Sequence, residues 1–395
     1  MEVLHVSPVF GAMSGFGGMA TSSECLCSEL AKLGVNITVI STEVTGRFQT
    51  GVDSQLKCDG ENLFTTIRLP VAARSFERFT GMYWTPGFRV EYAKQGAVTD
   101  IVHFHGFRSY QNLAAARATQ KLRRKYVLQP HGSAVRGYGK RVLKSVYDYV
   151  LGIRQAMSAD ALIASAQTEA LQLTRMGINP NKIHTVPNGV YRENWAAQSP
   201  GGSTLLRESL HISRTARIVL FVGRLDSTKG LDLLVESFGK VLVKRPDATL
   251  VLLGPDFGMQ SRLEAWVQKT GLGNHVFFAG LAGQEFVRSA YKESTVVVIP
   301  STYESFSLVA LEAAAAGAPV VMTEECGLAT TFRSAGLIVA KAEITSLGDT
   351  ILRLIQDDEF RGLQRAALSR LPWEKFTWRE VARAVLAVYE GALRS

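Results

Sequence analysis

The chain repeats one pattern: short, continuous apolar runs rich in β-branched residues, each followed by a longer stretch of helical character. In the first half the runs are VLHVSPV at 3–9, ITVIST at 37–42, DIVHFHG at 100–106, YVLQPHG at 126–132, ALIASA at 161–166 and KIHTVPNGV at 182–190. Strands that read as unbroken apolar runs belong to parallel sheets covered by helices on both faces. After a polar stretch the pattern restarts with RIVLFVG at 217–223, ATLVLLG at 248–254, HVFFAG at 275–280, TVVVIP at 295–300 and APVVMT at 318–323. The chain therefore reads as an α/β protein built from two doubly wound parallel sheets.

Length agrees with that duplication, because single cores stop growing near roughly 250 to 300 residues and this chain has 395. The segment Gln198-Ser199-Pro200-Gly201-Gly202-Ser203 is the best boundary by composition. The reading predicts domains at 1–197 and 198–371 and a closing segment at 372–395. In that segment Trp373, Phe376, Trp378, Val381, Val385 and Val388 recur at helical spacing, so a helix over about 374–393 packs on another element.

No apolar run reaches the roughly 18 to 20 residues that cross a bilayer, and MEVLHVSPVF lacks the basic flank of a signal peptide. The expectation is a cytoplasmic protein, or one at the cytoplasmic membrane surface. Cys25, Cys27, Cys58 and Cys326 have no zinc-ligand spacing and read as reduced, buried residues. Charge is unevenly placed: residues 1–195 carry 22 basic against 14 acidic residues, and the remainder 22 against 21. Arg117, Lys121, Arg123, Arg124, Lys125, Arg136, Lys140, Arg141 and Lys144 cluster without an acidic neighbour. Such a cluster suits an anionic membrane surface or a charged acceptor, or is a solvated helix face. It lacks the reading-helix or stacking-sheet pattern of nucleic-acid binding, and nucleic acid is not expected as a partner.

Four motifs carry chemistry. Gly15-Phe16-Gly17-Gly18-Met19-Ala20 follows the first strand and opens a helix, aiming backbone N–H groups at an anion. It fits the dinucleotide fingerprint formally, but Phe10 to Ser14 separate it from the strand and give a wider loop, one that could wrap a sugar. Gly223-Arg224-Leu-Asp-Ser-Thr-Lys229-Gly230 places two cations at the carboxyl end of a strand. A diphosphate leaving group needs that charge as its bond breaks. No D-x-D metal motif is present, so Arg224 and Lys229 are read as doing a metal's work. In Pro300-Ser-Thr-Tyr-Glu304-Ser-Phe-Ser-Leu-Val-Ala-Leu-Glu312, a helix starting near Ser305 puts Glu304 on the loop before it and Glu312 about two turns inside. The N–H groups of Phe306, Ser307 and Leu308 are then available to hydroxyls or phosphate. Glu312 lies within LVALEAAAAGAPVV, where a carboxylate must be buried with partners.

Together with His131-Gly132, VPNGV at 186–190, LLGP at 252–255, AAGAPVV at 315–321 and the closing WEKF helix, these motifs resemble the retaining glycosyltransferases of family 4 over nearly the whole chain. The resemblance implies a GT-B fold, two Rossmann-like domains facing a central cleft with the last helix crossing back to the first domain. It implies a UDP- or GDP-sugar as co-substrate, no metal or other cofactor, retention of configuration, and a glycan, lipid-linked or small-molecule acceptor bound by the N-terminal domain. It also implies that Glu304 and His131 contact the transferred sugar, Glu312 the ribose hydroxyls, Arg224 and Lys229 the diphosphate, and the backbone near Phe277 the base; Gly17 and Gly18 belong to the same nucleotide-sugar site. A nucleotide-sugar epimerase, a phosphorylase and a non-catalytic binding protein share this fold and stay open. The chain departs from the family at Glu325-Cys326-Gly327-Leu328-Ala329-Thr330, where relatives often show Gly-Gly-x-x-Glu, and no role is assigned to that loop.

Overall fold

Seven strands form the first sheet: β1 (Glu2–Val6), β2 (Asn36–Thr42), β3 (Thr65–Leu69), β4 (Ile101–His105), β5 (Lys125–Gln129), β6 (Ala161–Ala164) and β7 (Ile183–Thr185). All pairings are parallel, in the order β3-β2-β1-β4-β5-β6-β7. The computed structural model describes residues 1–11, 17–43, 64–72, 83–134, 152–197 and 204–395. Gly15, Phe16, Cys58, Arg136, Lys140, Arg141, Lys144 and the Gln198–Ser203 boundary lie outside the described residues. Contacts group the chain into two units, Met1–Gly189 with Glu374–Ser395, and Val190–Trp373.

The second unit carries β8 (Arg217–Val222), β9 (Ala248–Leu253), β10 (Val276–Gly280), β11 (Val296–Ile299), β12 (Val320–Thr323) and β13 (Val339–Ala340), again all parallel, in the order β10-β9-β8-β11-β12-β13. Its core joins Phe221, Leu250, Leu252 and Val298 of the sheet to Leu234 and Phe238 of the helix Leu231–Lys244 and Ile351 of the helix Ile344–Gln356. In each sheet the strand order reverses beside its first strand, between β1 and β4 and between β8 and β11. In open α/β sheets, ligands bind outside the carboxyl ends of the strands at this reversal.

Two strands have no counterpart in the apolar pattern. The edge strand β3 reads TTIRL and is only partly covered, so it lacks the continuous apolar run of a strand buried on both faces. The strand β13 is two residues long.

The helix Trp378–Arg394 belongs to the first unit, packing against the helix Gly18–Lys32, β5 and β6. Thr377 caps it by accepting from the N–H of Glu380, and its buried stripe is Val381, Val385, Val388, Tyr389 and Ala392. Each large apolar side chain so buried contributes about 1.5–3 kcal/mol before ordering entropy is counted. Its first turn explains the glycine of VPNGV, because a Cβ on Gly189 would stand 2.6 Å from the Trp378 ring and 2.8 Å from its Cα. Among the described residues no helix is long and apolar enough to cross a membrane.

Candidate active site

The loop after β8 is held against the end of β11 by a close backbone approach. Gly230 has φ +66, and a Cβ there would lie 2.0 Å from the carbonyl oxygen of Pro300. That contact sets Lys229 beside the next loop, where its Nζ meets Glu304 Oε2 at 2.5 Å. Ser301 Oγ donates to the same carboxylate oxygen at 3.5 Å. Arg224 Nη2 pairs with Asp226 Oδ2 at 3.1 Å, and its guanidinium lies over the Phe257 ring, 5.0 Å from the centroid. Asp226 in turn shapes the loop by accepting from the N–H and hydroxyl of Thr228. The sequence reading assigns both cations to a diphosphate; each is paired here with a carboxylate, half-buried at the sheet's reversal point.

The helix after Glu304 starts later than the sequence suggests, at Leu308 rather than near Ser305. The physical reason is Ser307, which takes a left-handed conformation (φ 81) and caps the helix by accepting from the N–H of Ala310 at 3.3 Å. Of the three N–H groups expected in the first turn, only that of Leu308 is there; Phe306 is buried before the cap, and Ser307 is the cap itself. Glu312 is correspondingly the fifth helical residue, little more than one turn in rather than two.

Glu312 is half-buried, and its Oε2 accepts from the Tyr291 hydroxyl at 3.1 Å. Burial pushes its carboxyl up to about 7, and the Tyr291 hydrogen bond pulls it back only in part. Tyr291 is fully buried and stands edge-on to Trp195, ring centroids 5.6 Å apart. Phe277 lies half-buried on the edge strand β10, paired with Val251.

The loop Glu325–Gly327, to which no role was assigned, holds Glu304 in place. Glu304 N donates to Glu325 O at 3.2 Å, and Gly327 N donates to Glu304 O at 2.8 Å. Cys326 is buried and its thiol meets the carbonyl of Phe306 at 3.3 Å. Burial, with Glu304 nearby, keeps that thiol protonated.

Gly17, Gly18 and His131 belong to the first unit, and the other named site residues to the second. Gly17 (φ 78) precedes the helix Gly18–Lys32, whose first turn carries no acid; both glycines are exposed. His131 follows β5 in a left-handed conformation, φ 53, with Gly132 at φ 77. A buried carboxylate fixes this turn: Glu169 Oε1 accepts from Gly132 N at 2.5 Å, and Oε2 accepts from the N–H and hydroxyl of Ser165, each at 2.7 Å. Burial raises the Glu169 pKa, against the pull of those donors. Sequence reasoning passed over Glu169, although an acid in the first turn after the apolar run ALIASA was the available signal.

The chain matches the family described as Glycosyl transferase 4-like domain over residues 17–189 and that described as Glycosyl transferases group 1 over residues 203–367. Among curated relatives it is 34% identical over 247 residues to a D-inositol 3-phosphate glycosyltransferase of Acidothermus cellulolyticus, covering 60% of this chain and 54% of that protein. The match thus spans about half the length of that relative. A protein of the same name from Jonesia denitrificans is 28% identical over 99% of this chain and 95% of its own. Among solved structures, sucrose-phosphate synthase from Thermosynechococcus elongatus superposes with a TM-score of 0.76 at 21% identity, over 100% of this chain and 99% of that one. Anabaena HepE, solved in complex with UDP-glucose, gives 0.75 at 17% identity over 99% and 100%.

Proposed function

Because the chain belongs to the glycosyltransferases of family-4 type with the GT-B fold, we propose that it moves a sugar from a nucleoside diphosphate donor, a UDP- or GDP-sugar, onto a glycan, lipid-linked or small-molecule acceptor, with retention and without a metal. The observation that carries this reading is the Lys229–Glu304 pair at the reversal point between β8 and β11. It sets a cation for phosphate and a carboxylate for sugar hydroxyls side by side. The complex of HepE with UDP-glucose supports a nucleotide-sugar donor.

In the proposed reaction the bond from the anomeric carbon to the diphosphate breaks, the acceptor oxygen bonds that carbon on the same face, and the acceptor proton passes to the leaving diphosphate. Arg224 and Lys229 stabilise the charge that builds on the leaving group, an interaction that counts only in so far as it strengthens in the transition state. Glu304 orients the sugar, and Glu312 holds the ribose. Arg117, Lys121 and Arg123 are exposed on the first unit, which we assign as the surface for an anionic acceptor or membrane; Arg124 and Lys125 are half-buried, and Lys125 pairs with Asp160 at 3.1 Å. Salt-sensitive binding to anionic but not neutral liposomes tests that assignment.

The donor is tested by thermal shift with UDP-, GDP- and ADP-sugars, since a ligand of the native state stabilises it by mass action. The rate of transfer with the donor so identified should be unchanged by excess EDTA. No shift with any donor sinks the reading, and a rate abolished by EDTA and restored by Mg²⁺ sinks its metal-free part.

A further inference from the structure

Five side chains of the first unit form one hydrogen-bonded chain, buried except at His131. His131 Nε2 meets His105 Nδ1 at 2.9 Å, and His105 Nε2 meets His5 Nδ1 at 2.9 Å. His5 Nε2 meets the Tyr389 hydroxyl at 3.4 Å, and that hydroxyl meets His103 Nδ1 at 2.6 Å. His5, His103, His105 and Tyr389 are fully buried, and the His105 ring stacks on those of His5, His103 and His131 with centroids 4.2 to 5.2 Å apart. A metal ion held by His5, His103 and His105 would need nitrogens about 3.3 Å apart, as bonds of about 2.0–2.1 Å to tetrahedral zinc require. The 2.9 Å spacing of His5 and His105 is that of a shared proton.

Neutral imidazole has one donor and one acceptor nitrogen, so such a chain has a sense, and fixing one proton fixes the rest. Burial holds all four histidines neutral: His5 and His131 are lowered to about 3, and His103 and His105 well below their ordinary value. Tyr389 has one proton for two nitrogens, and we place it toward His103, because a contact of 2.6 Å is the length of an O–H donor and shorter than an N–H donor usually makes. His103 then carries its own proton on Nε2, a buried nitrogen otherwise unpaired, near Gln129, whose buried Oε1 is also unpaired and whose side chain favours a proton on that ring. With its proton given away, the Tyr389 oxygen accepts from His5 Nε2–H. His5 Nδ1 must accept from His105 Nε2–H, and His105 Nδ1 from His131 Nε2–H.

We propose that Tyr389, in the C-terminal helix, is a positioning residue that fixes the proton of His131 on Nε2 through His5 and His105, leaving Nδ1 bare to accept from a hydroxyl. What that acceptor does in transfer rests on the proposed function; the tautomer itself does not. Tyr389→Phe leaves His5 Nε2–H a buried donor without an acceptor, and an orphaned N–H is tolerated less readily than an orphaned acceptor. The chain then runs in the opposite sense and moves the His131 proton to Nδ1.

The test is ¹⁵N NMR of the histidine side chains in the full chain at neutral pH, where the two tautomers have distinct nitrogen shifts. In the wild type His5, His103, His105 and His131 should all carry the proton on Nε2. In Tyr389→Phe the His131 tautomer ratio should move roughly fivefold or more toward Nδ1–H, as expected for one hydrogen bond lost. A wild-type His131 protonated on Nδ1 overturns the proposal without any variant. So does a folded Tyr389→Phe protein whose His131 tautomer is unchanged. A purely structural Tyr389 would lower stability and leave the tautomer alone.

Discussion

Lys229 Nζ stands 2.5 Å from Glu304 Oε2 although 75 residues separate them, and about a fifth of each side chain is exposed. In a pair so largely covered, desolvation offsets most of the attraction, so it adds little net stability, while removing one partner leaves the other charge uncompensated. Its two members have different chemical tasks. Lys229→Ala should lower kcat by about 10² to 10³, the usual loss for one preorganised donor to a developing anion, with the fold intact by circular dichroism. Arg224→Lys should also lower kcat, since a point charge cannot replace the planar fork on two phosphate oxygens. The exchange Lys229→Glu with Glu304→Lys re-forms the ion pair, so thermal stability should return toward wild type while transfer stays lost. Recovery of transfer by the exchange would mean that the pair is only structural.

Glu312 makes the second unit's stability depend on pH. Its pKa stands at about 7 against an ordinary 4.5, so folding favours the protonated acid. That contribution is fully present below pH 4.5 and is lost as pH rises through 7. Glu312→Gln, which cannot ionise, should therefore gain on the wild type between pH 5 and pH 8 by about 1–3 kcal/mol, the shift being discounted because the residue is half-buried. Urea denaturation at the two pH values measures this. Parallel stability at both sinks the assignment of a strained carboxylate.

The sheets were legible because strands buried on both faces leave unbroken apolar runs, as in VVVI and VVMT. The strand β3 was not, because a partly covered edge carries no such run. The motif residues Arg224, Lys229 and Glu304 were legible as types, but the Lys229–Glu304 pairing was not, since it depends on Gly230 meeting Pro300 across two loops. The delayed helix start was hidden because nothing in the order Ser-Phe-Ser tells which serine caps; the left-handed turn at Ser307 decides it. The histidines were scattered over positions 5, 103, 105 and 131, and only parallel pairing of β1, β4 and β5 makes them neighbours.

Gly230→Ala tests that contact between loops. The added Cβ would lie 2.0 Å from backbone rather than from a flexible side-chain tip, and φ +66 is also unfavourable for alanine. The variant should lose at least about 2–3 kcal/mol through strain and overpacking, and should lose transfer as Lys229 and Glu304 separate. Gly283→Ala is the control: its Cβ would meet nothing within 4 Å and its φ of −73 is ordinary. Because Gly283 caps the helix Gln284–Glu293, that change should cost at most about 1 kcal/mol, well below the loss at Gly230. Equal effects of the two substitutions by thermal denaturation would refute the contact.

Glu169 supports a strained turn, and its removal should be felt at His131. The carboxylate, itself buried, accepts from Gly132 N, Ser165 N and Ser165 Oγ, all within 2.7 Å. Glu169→Ala leaves the buried N–H of Ser165 without that acceptor, at about 1–3 kcal/mol, and frees the half-buried N–H of Gly132. His131 holds φ 53, which for a residue other than glycine persists only where its surroundings impose it. Without the anchor on Gly132 the turn should relax, and the Gly132 amide should exchange with solvent much faster than in the wild type. Glu169→Gln should fare only partly better, because its amide group sets a donor where one carboxylate oxygen accepted. Hydrogen exchange at Gly132 is the deciding measurement. Unchanged protection in a folded Glu169→Ala protein would mean that β5 and Gly132 hold the turn themselves, with the carboxylate an occupant rather than a support.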